Sequence, residues 1–305
     1  MDDELKNNDV EINTEASNNT LLKKLKPQAN LASLGWLARL DLEFNENNGR
    51  SFLAKKQHVG PLVIQKTLHP EGDAICHGII IHPPGGVAGG DELIVNVDLA
   101  YNANALLTTP GAGKWYKANG AVASQHLNFN VATNAQLEWF PQENILFDGA
   151  QVALTSDVLL ATDARFASWE ILCFGRQARG ELWQIGKIKQ RLNIIRDGQL
   201  IWNERAFIRP QSRVMQSLVG LHGNVVSGGF VVAAGLLPKT ILEACQQVKI
   251  NSAAKVGVTA LPEIFSARYI GQSGQEARQY FEQLWQILRP WYSQREAVRP
   301  RIWNT

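Results

Sequence analysis

From Trp36 to Ile208 the chain alternates apolar and polar residues in short runs, and turn residues interrupt the runs at intervals of about ten positions. Trp36, Ala38, Leu40, Leu42 and Phe44 fall on alternate positions; so do Leu93, Val95, Val97 and Leu99, and then Leu127, Phe129 and Val131. Side chains of an extended strand point alternately to opposite faces, so a two-residue period reads as half-buried strand. Further strands are predicted at 51–56, 62–67, 105–109, 136–140, 152–161, 167–174 and 181–186. The runs 188–195 and 199–208 flank Asp197-Gly198, which suits a two-residue type I′ hairpin turn. Short strands at this spacing argue for a mainly β architecture. No strict repeat of about 20–50 residues is visible, so repeats do not indicate a solenoid.

Helical spacing is confined to the last third. Pro238 followed by Ile241, Leu242, Cys245 and Val248 predicts a short helix over 238–248. A longer helix is predicted over 273–289. Ser273 and Glu276 form a capping box, Ala277, Tyr280, Phe281, Leu284, Trp285 and Leu288 make one apolar stripe, and Pro290 ends it. Such a stripe packs on the chain's own sheet or on a partner. Residues 1–30, polar and poor in aromatics, read as a disordered extension with a short helical turn at 21–25; residues 33–305 read as a single domain.

Composition excludes several function classes. Charged residues make up 19% of the 305 and the net charge is +2, which gives no basic field for nucleic acid. No apolar run approaches the roughly 20 residues that span a bilayer. The N-terminus lacks the basic-then-apolar order of a secretory signal. Cys76, Cys173 and Cys245 are odd in number and far apart, so a disulfide framework is not expected and the cytoplasm is the expected compartment.

The densest motif is the stretch from His82 to Asp91, with four glycines and two prolines in ten residues between two apolar runs. It specifies a tight loop, and its plain reading is a turn. It leads into a strand, where a dinucleotide-binding glycine motif must lead into a helix. Pro110 to Trp115 imitates the end of a phosphate-binding loop but has Trp115 where Ser or Thr must follow the lysine. Nucleophile elbows are absent and the six histidines are scattered. Cys76 and His77 are adjacent, so in a strand they face opposite ways and do not chelate one ion together; Cys76, His82 and Asp91 could still face a common region. Glu138 sits between Leu137 and Trp139, and if its own face is also covered it must be paired or bound. Glu170 and Glu181 repeat the theme. Acids of this kind either line a polar interior or face solvent.

Longer motifs carry a resemblance. These are Gly60-Pro61-Leu62, His69-Pro70-Glu71-Gly72, Cys76-His77, His82 through Asp91, Thr108 through Tyr116, Leu137 through Phe147, Phe174-Gly175-Arg176, Gly180-Glu181, Asn203-Glu204-Arg205 and the ending Pro300 through Thr305. Together they resemble the UreD family of urease accessory proteins over 33–305. Trp115, where another aromatic is usual, and Lys117-Ala118, where Arg-Ser is usual, are the departures. The resemblance implies stacked β-sheets in a β-helix-like arrangement with two helices, and a non-enzymatic, cytoplasmic chaperone of urease maturation. It implies work on apo-urease in complex with UreF-like and UreG-like partners, with the GTP bound by the UreG-like partner and nickel in transit as cargo. Asp91, Glu138, Glu170, Glu181 and Glu204 are then candidate lining residues of a nickel passage, with Cys76, His77 and His82 beside them. Carboxylates hold nickel less tenaciously than clustered thiolates and imidazoles, which suits passage better than storage. Trp285, Trp291, Tyr292, Arg299, Arg301 and Trp303 mix aromatic and basic character and are candidate docking residues for a UreF-like partner. The competing reading is an enzyme on a β scaffold acting through carboxylates such as Glu138 and Glu143.

Overall fold

The computed structural model describes residues 35–304, so the extension and helical turn expected within 1–30 lie outside the described residues. The described chain is mainly β, in two stacked sheets. The first sheet runs, edge to edge, β14 (Gln199–Ile208), β13 (Lys187–Arg196), β11 (Gln151–Leu160), β8 (Ala123–Val131), β5 (Glu92–Leu99), β1 (Leu37–Asn47) and β2 (Arg50–Val59). The second runs β16 (Lys255–Ala260), β17 (Ile264–Gly271), β15 (Val226–Ala233), β12 (Arg165–Phe174), β9 (Gln136–Phe140), β6 (Asn104–Thr108), β4 (Cys76–Ile81) and β3 (Val63–Ile64). In the first sheet β13, β11, β8, β5 and β1 run parallel between two antiparallel edge strands; in the second β12, β9, β6 and β4 run parallel, with β3 on one side and β15, β17 and β16 on the other paired antiparallel. Consecutive strands alternate between the sheets, so the chain winds as a β-solenoid in coils of roughly 30 residues.

A third, narrower side completes each coil. β7 (Gly113–Trp115), β10 (Asn144–Leu146) and the end of β12 pair in parallel there, and Val87 bridges Trp115 one coil earlier. Val87, Trp115, Leu146 and Phe174 therefore stack, all buried. The loop from His82 to Asp91 is the first rung of this side. Its tightness has a steric cause: a Cβ on Gly86 would overlap the Tyr116 ring at 2.3 Å. The Pro110–Trp115 stretch ends in β7 with no helix behind it.

The coils do repeat in sequence, at one corner. Leu99-Ala100-Tyr101-Asn102-Ala103-Asn104-Ala105, Val131-Ala132-Thr133-Asn134-Ala135-Gln136-Leu137 and Leu160-Ala161-Thr162-Asp163-Ala164-Arg165-Phe166 turn the chain from the first sheet to the second in the same way. Asn102, Asn134 and Asp163 share a left-handed φ of 59°, which Asn and Asp tolerate better than other side chains. Each turn closes with the same bond, Ala103, Ala135 and Ala164 donating to the carbonyls of Ala100, Ala132 and Ala161 at 3.0, 3.0 and 3.1 Å. A solenoid repeat was therefore present, but too short and degenerate to stand out as a long repeat. Asp197 and Gly198, at φ 46° and 78°, form the expected hairpin turn. The strand expected at 181–186 is absent; that stretch is a loop closing the widest coil.

The exposed face of the first sheet carries a polar ladder. Asp41, Asn96, Asn128, Asp157, Asn193 and Asn203 occupy one level across six strands. Asn96 donates to Asp41 at 2.5 Å, Asn128 to Asn96 at 2.8 Å, Asn193 to Asp157 at 2.7 Å and Asn203 to Asn193 at 2.6 Å.

One core fills the space between the sheets and a second lies between the second sheet and the helices. The helices are α1 (Arg213–Gln216), α2 (Lys239–Gln246) and α3 (Gly274–Ser293). The Ser273 hydroxyl accepts from the Glu276 N–H at 3.2 Å, as the capping box predicts. Ala277, Tyr280, Phe281, Leu284, Trp285 and Leu288 bury on the chain's own sheet. Contrary to expectation, α3 continues through Pro290 to Ser293. Proline costs a backbone bond, but side chains on both sides of it are anchored to the sheet.

The anchor is ionic. Every residue of β9 is buried, because Leu137 and Trp139 face the inter-sheet core while Glu138 faces α3. Glu138 accepts from Trp285 (2.9 Å), Arg289 (2.9 and 3.1 Å) and Tyr292 (2.5 Å). Arg289 also donates to Glu71 at 2.6 and 2.8 Å, and Glu71 contacts His77 at 2.5 Å. Burial alone would push Arg289 toward deprotonation; Glu138 and Glu71 reverse this and hold it charged. Burial likewise raises Glu71, but His77 and Arg289 leave its carboxyl below the ordinary range.

Replacing the arginine strands two buried carboxylates. Arg289→Met is expected to cost about 3–5 kcal/mol in urea denaturation, the usual loss when one partner of a buried ion pair is removed. A loss below about 1 kcal/mol would mean that the anchor contributes little.

Candidate functional site

Strand parity decides what the interior contains. On β12, Phe166, Leu172 and Phe174 join the inter-sheet core, while Ala167, Trp169, Ile171 and Cys173 pack under the helices. Glu170 shares the inward parity. It lines a cavity of about 290 Å³ beneath the His82–Asp91 and 109–114 loops, together with His82, Lys114, Gln125 and Asn144. Glu170 is half-buried by area, and it is enclosed: its remaining surface faces the cavity. Asn144 donates to it at 3.3 Å and Gln190 donates to its other oxygen. Burial lifts the Glu170 carboxyl to about 7, the Gln190 bond opposes the shift and the Glu204 charge adds to it. The cavity also holds a polar wall: Trp115 Nε1 donates to Asn144 at 2.8 Å.

Glu204, on β14, lies toward the edge of the two sheets. Arg268, on β17, chelates it with both terminal nitrogens at 2.6 and 2.7 Å. The interior therefore carries a polar file of His82, Asn144, Glu170, Gln190 and Glu204, ending at Arg268. His82 is pulled below its ordinary value by burial, with the Asp91 charge opposing.

The other predicted site residues lie elsewhere. Asp91 caps the glycine loop, accepting from the Trp36 and Ala88 N–H groups at 2.9 and 2.8 Å. Glu181 pairs with Arg176 and accepts from the Asp148 N–H at 3.1 Å, which fastens the loop of the widest coil. Glu138 and His77 belong to the helix anchor on the opposite face of the second sheet. Cys76 faces inward, fully buried, its thiol pushed up by burial. Cys76 and His77 thus point to opposite faces, as adjacent strand residues must.

The docking candidates need correction. Trp285, Tyr292 and Trp303 are 1%, 3% and 5% exposed, because they complete the second core rather than an open surface. Trp303 donates to Thr108 at 2.8 Å, and Arg299 is tied to Glu282 at 2.7 Å. Trp291 is half-buried and Arg301 exposed. Three functional groups escaped the sequence reading: Gln190, Arg268 and Arg289. The last two had a signal, each a lone charge inside an apolar run (Ala267-Arg268-Tyr269; Leu288-Arg289-Pro290).

Among the described residues, no group of three or more His, Cys, Asp or Glu is gathered to hold a metal. No described helix is long and apolar enough to cross a membrane. Two inward carboxylates are present, Glu170 between two amides and Glu204 on Arg268, and carboxylate oxygens are donors that hold divalent ions loosely.

The family model described as UreD urease accessory protein matches residues 37–304. The chain is 59% identical over 270 residues to the urease accessory protein UreD of Methylobacillus flagellatus, covering 88% of this chain and 95% of the relative. It is 44% identical over 276 residues to UreD of Dechloromonas aromatica, covering 90% and 96%. The match to UreD of Janthinobacterium sp. is 43% over 270 residues, covering 88% and 91%. With a match this long and relatives this similar, the chain belongs to the UreD family of urease accessory proteins.

Proposed function

We propose that this chain serves urease maturation by conducting nickel through its interior, from the cavity behind the glycine loop to the Glu204 edge. The observation that carries this reading is Glu170: a carboxyl on the inward face of a mainly apolar strand, open to a cavity and followed by Gln190 and Glu204. Oxygen and amide groups along a narrow path lower the cost of moving an ion through protein while holding it weakly. The chain works in the cytoplasm on apo-urease, with UreF-like and UreG-like partners, and the UreG-like partner binds and hydrolyses GTP. Trp291 and Arg301 keep accessible surface and are the tail residues left to meet a partner. The competing carboxylate enzyme finds less support, since Glu138 has both oxygens occupied by Trp285, Arg289 and Tyr292 and is no free base.

Co-expression of urease with its accessory proteins tests the passage. Glu170→Ala combined with Glu204→Ala should lower the nickel content and activity of urease to about a tenth or less, with the accessory complex still assembling. Full activation by an assembled double variant would defeat the reading.

The environment of Glu170 also has a pH signature. Its folded value near 7 lies above the ordinary 4.5, so folding favours the protonated carboxyl. Stability drawn from it is complete at low pH and is lost as pH rises from 4.5 to about 7. Glu170→Gln mimics the protonated form, so its thermal midpoint should exceed that of the parent by more at pH 8 than at pH 5. Equal differences at both pH values would show that Glu170 is not enclosed as described.

A further inference from the structure

We propose that Arg268 is a movable counter-charge that closes the Glu204 end of the interior, and that a divalent cation displaces it to pass; this rests on the reading that nickel travels through the interior.

The second sheet aligns four residues at one level: Glu170 on β12, Gly229 on β15, Arg268 on β17 and Gly257 on the edge strand β16. Arg268 thus has glycine as its lateral neighbour on both sides. The two glycines differ in what surrounds them. A Cβ on Gly229 would lie 2.6 Å from the Arg268 Nη1, so the guanidinium now reaches over Gly229 toward Glu204. A Cβ on Gly257 would meet nothing within 4 Å, and Gly257 has no left-handed φ that would demand glycine. The space above Gly257 is a second berth, on the solvent side, for the same side chain.

Charge bookkeeping favours the exchange. With the arginine fork closed, Glu204 and Arg268 cancel. With a divalent ion between the two carboxylates and Arg268 swung outward, the site is neutral again, any proton on Glu170 passing to water. The charged groups around this path are Glu204 and Arg268 at the edge and Lys114 on the cavity wall, where His82 is also titratable. A bidentate arginine gives selectivity as well: only an ion with high charge density competes with two aligned hydrogen bonds.

Nickel chloride titrated into the purified full-length chain reads the gate directly. Arg268→Met should bind Ni²⁺ about tenfold more tightly than the parent, because a competing charge at contact distance is gone. R268M combined with Glu204→Gln should lose that gain. Arg268→Gln repeats the measurement if R268M does not fold. Gly257→Leu fills the second berth with the fork intact; urease activation on co-expression should fall severalfold while the thermal midpoint stays at the parental value. The gate is overturned if the folded charge-removing variant binds no tighter, or if G257L activates urease as the parent does. The wider reading fails separately: if Glu170→Gln and Glu204→Gln leave activation intact there is no passage to gate, whereas if they abolish it and Arg268→Met binds nickel as the parent does, only the gate is wrong.

Discussion

A strand covered on both faces sorts its side chains into two different interiors, and one residue of offset changes which interior an acid meets. The second sheet is such a layer. Glu138 and Glu170 lie on neighbouring strands, both inside apolar sequence, and their fates diverge by parity alone. Glu138 faces α3 and is consumed by Arg289, Trp285 and Tyr292. Glu170 faces the first sheet and meets two amides and a cavity. The one acid fastens the helix layer; the other lines a cavity between two amide donors.

This division gives the two faces of one sheet different polar surroundings. The helix side carries strong, saturated ion pairs that cannot move without exposing buried charge. The inter-sheet side carries single polar residues on an apolar ground, Glu170 held by two amides and Glu204 by Arg268. Rigidity is thus concentrated behind the second sheet, and adaptability is kept within it. Arg268 sits where the two regimes meet, fully engaged with Glu204 yet partly open to solvent.

Much of the architecture was legible as alternation. The parity of β1, β5 and β8, the Asp197-Gly198 hairpin and the Ser273 cap all follow from residue type and spacing. The β-helix-like arrangement followed from the family resemblance and not from alternation, because its repeat is confined to an Asn or Asp corner between alanines, which only pairing in space brings into line. Pro290 misled because a local rule was outweighed by anchors at Arg289 and Tyr292 that come from distant sequence. Among the site candidates, Glu170, Glu204 and His82 fell on the interior file. Asp91 and Glu181 carried the same sequence signal, yet their carboxylates are spent on backbone N–H groups and Arg176, a distinction that exists only once the loops are folded.

The Asn and Asp corners are equal in length from coil to coil, and the strands of the first sheet that lead into them pair in continuous register. The largest variation in coil length is carried by the third side, from the short 147–150 turn to the long 175–186 loop. Insertions at a corner would break the ladder across the front of the molecule, whereas additions on the third side leave it untouched. That side is where lineages can diversify without disturbing the scaffold, and where a fluorescent tag or affinity epitope could be grafted into the living protein.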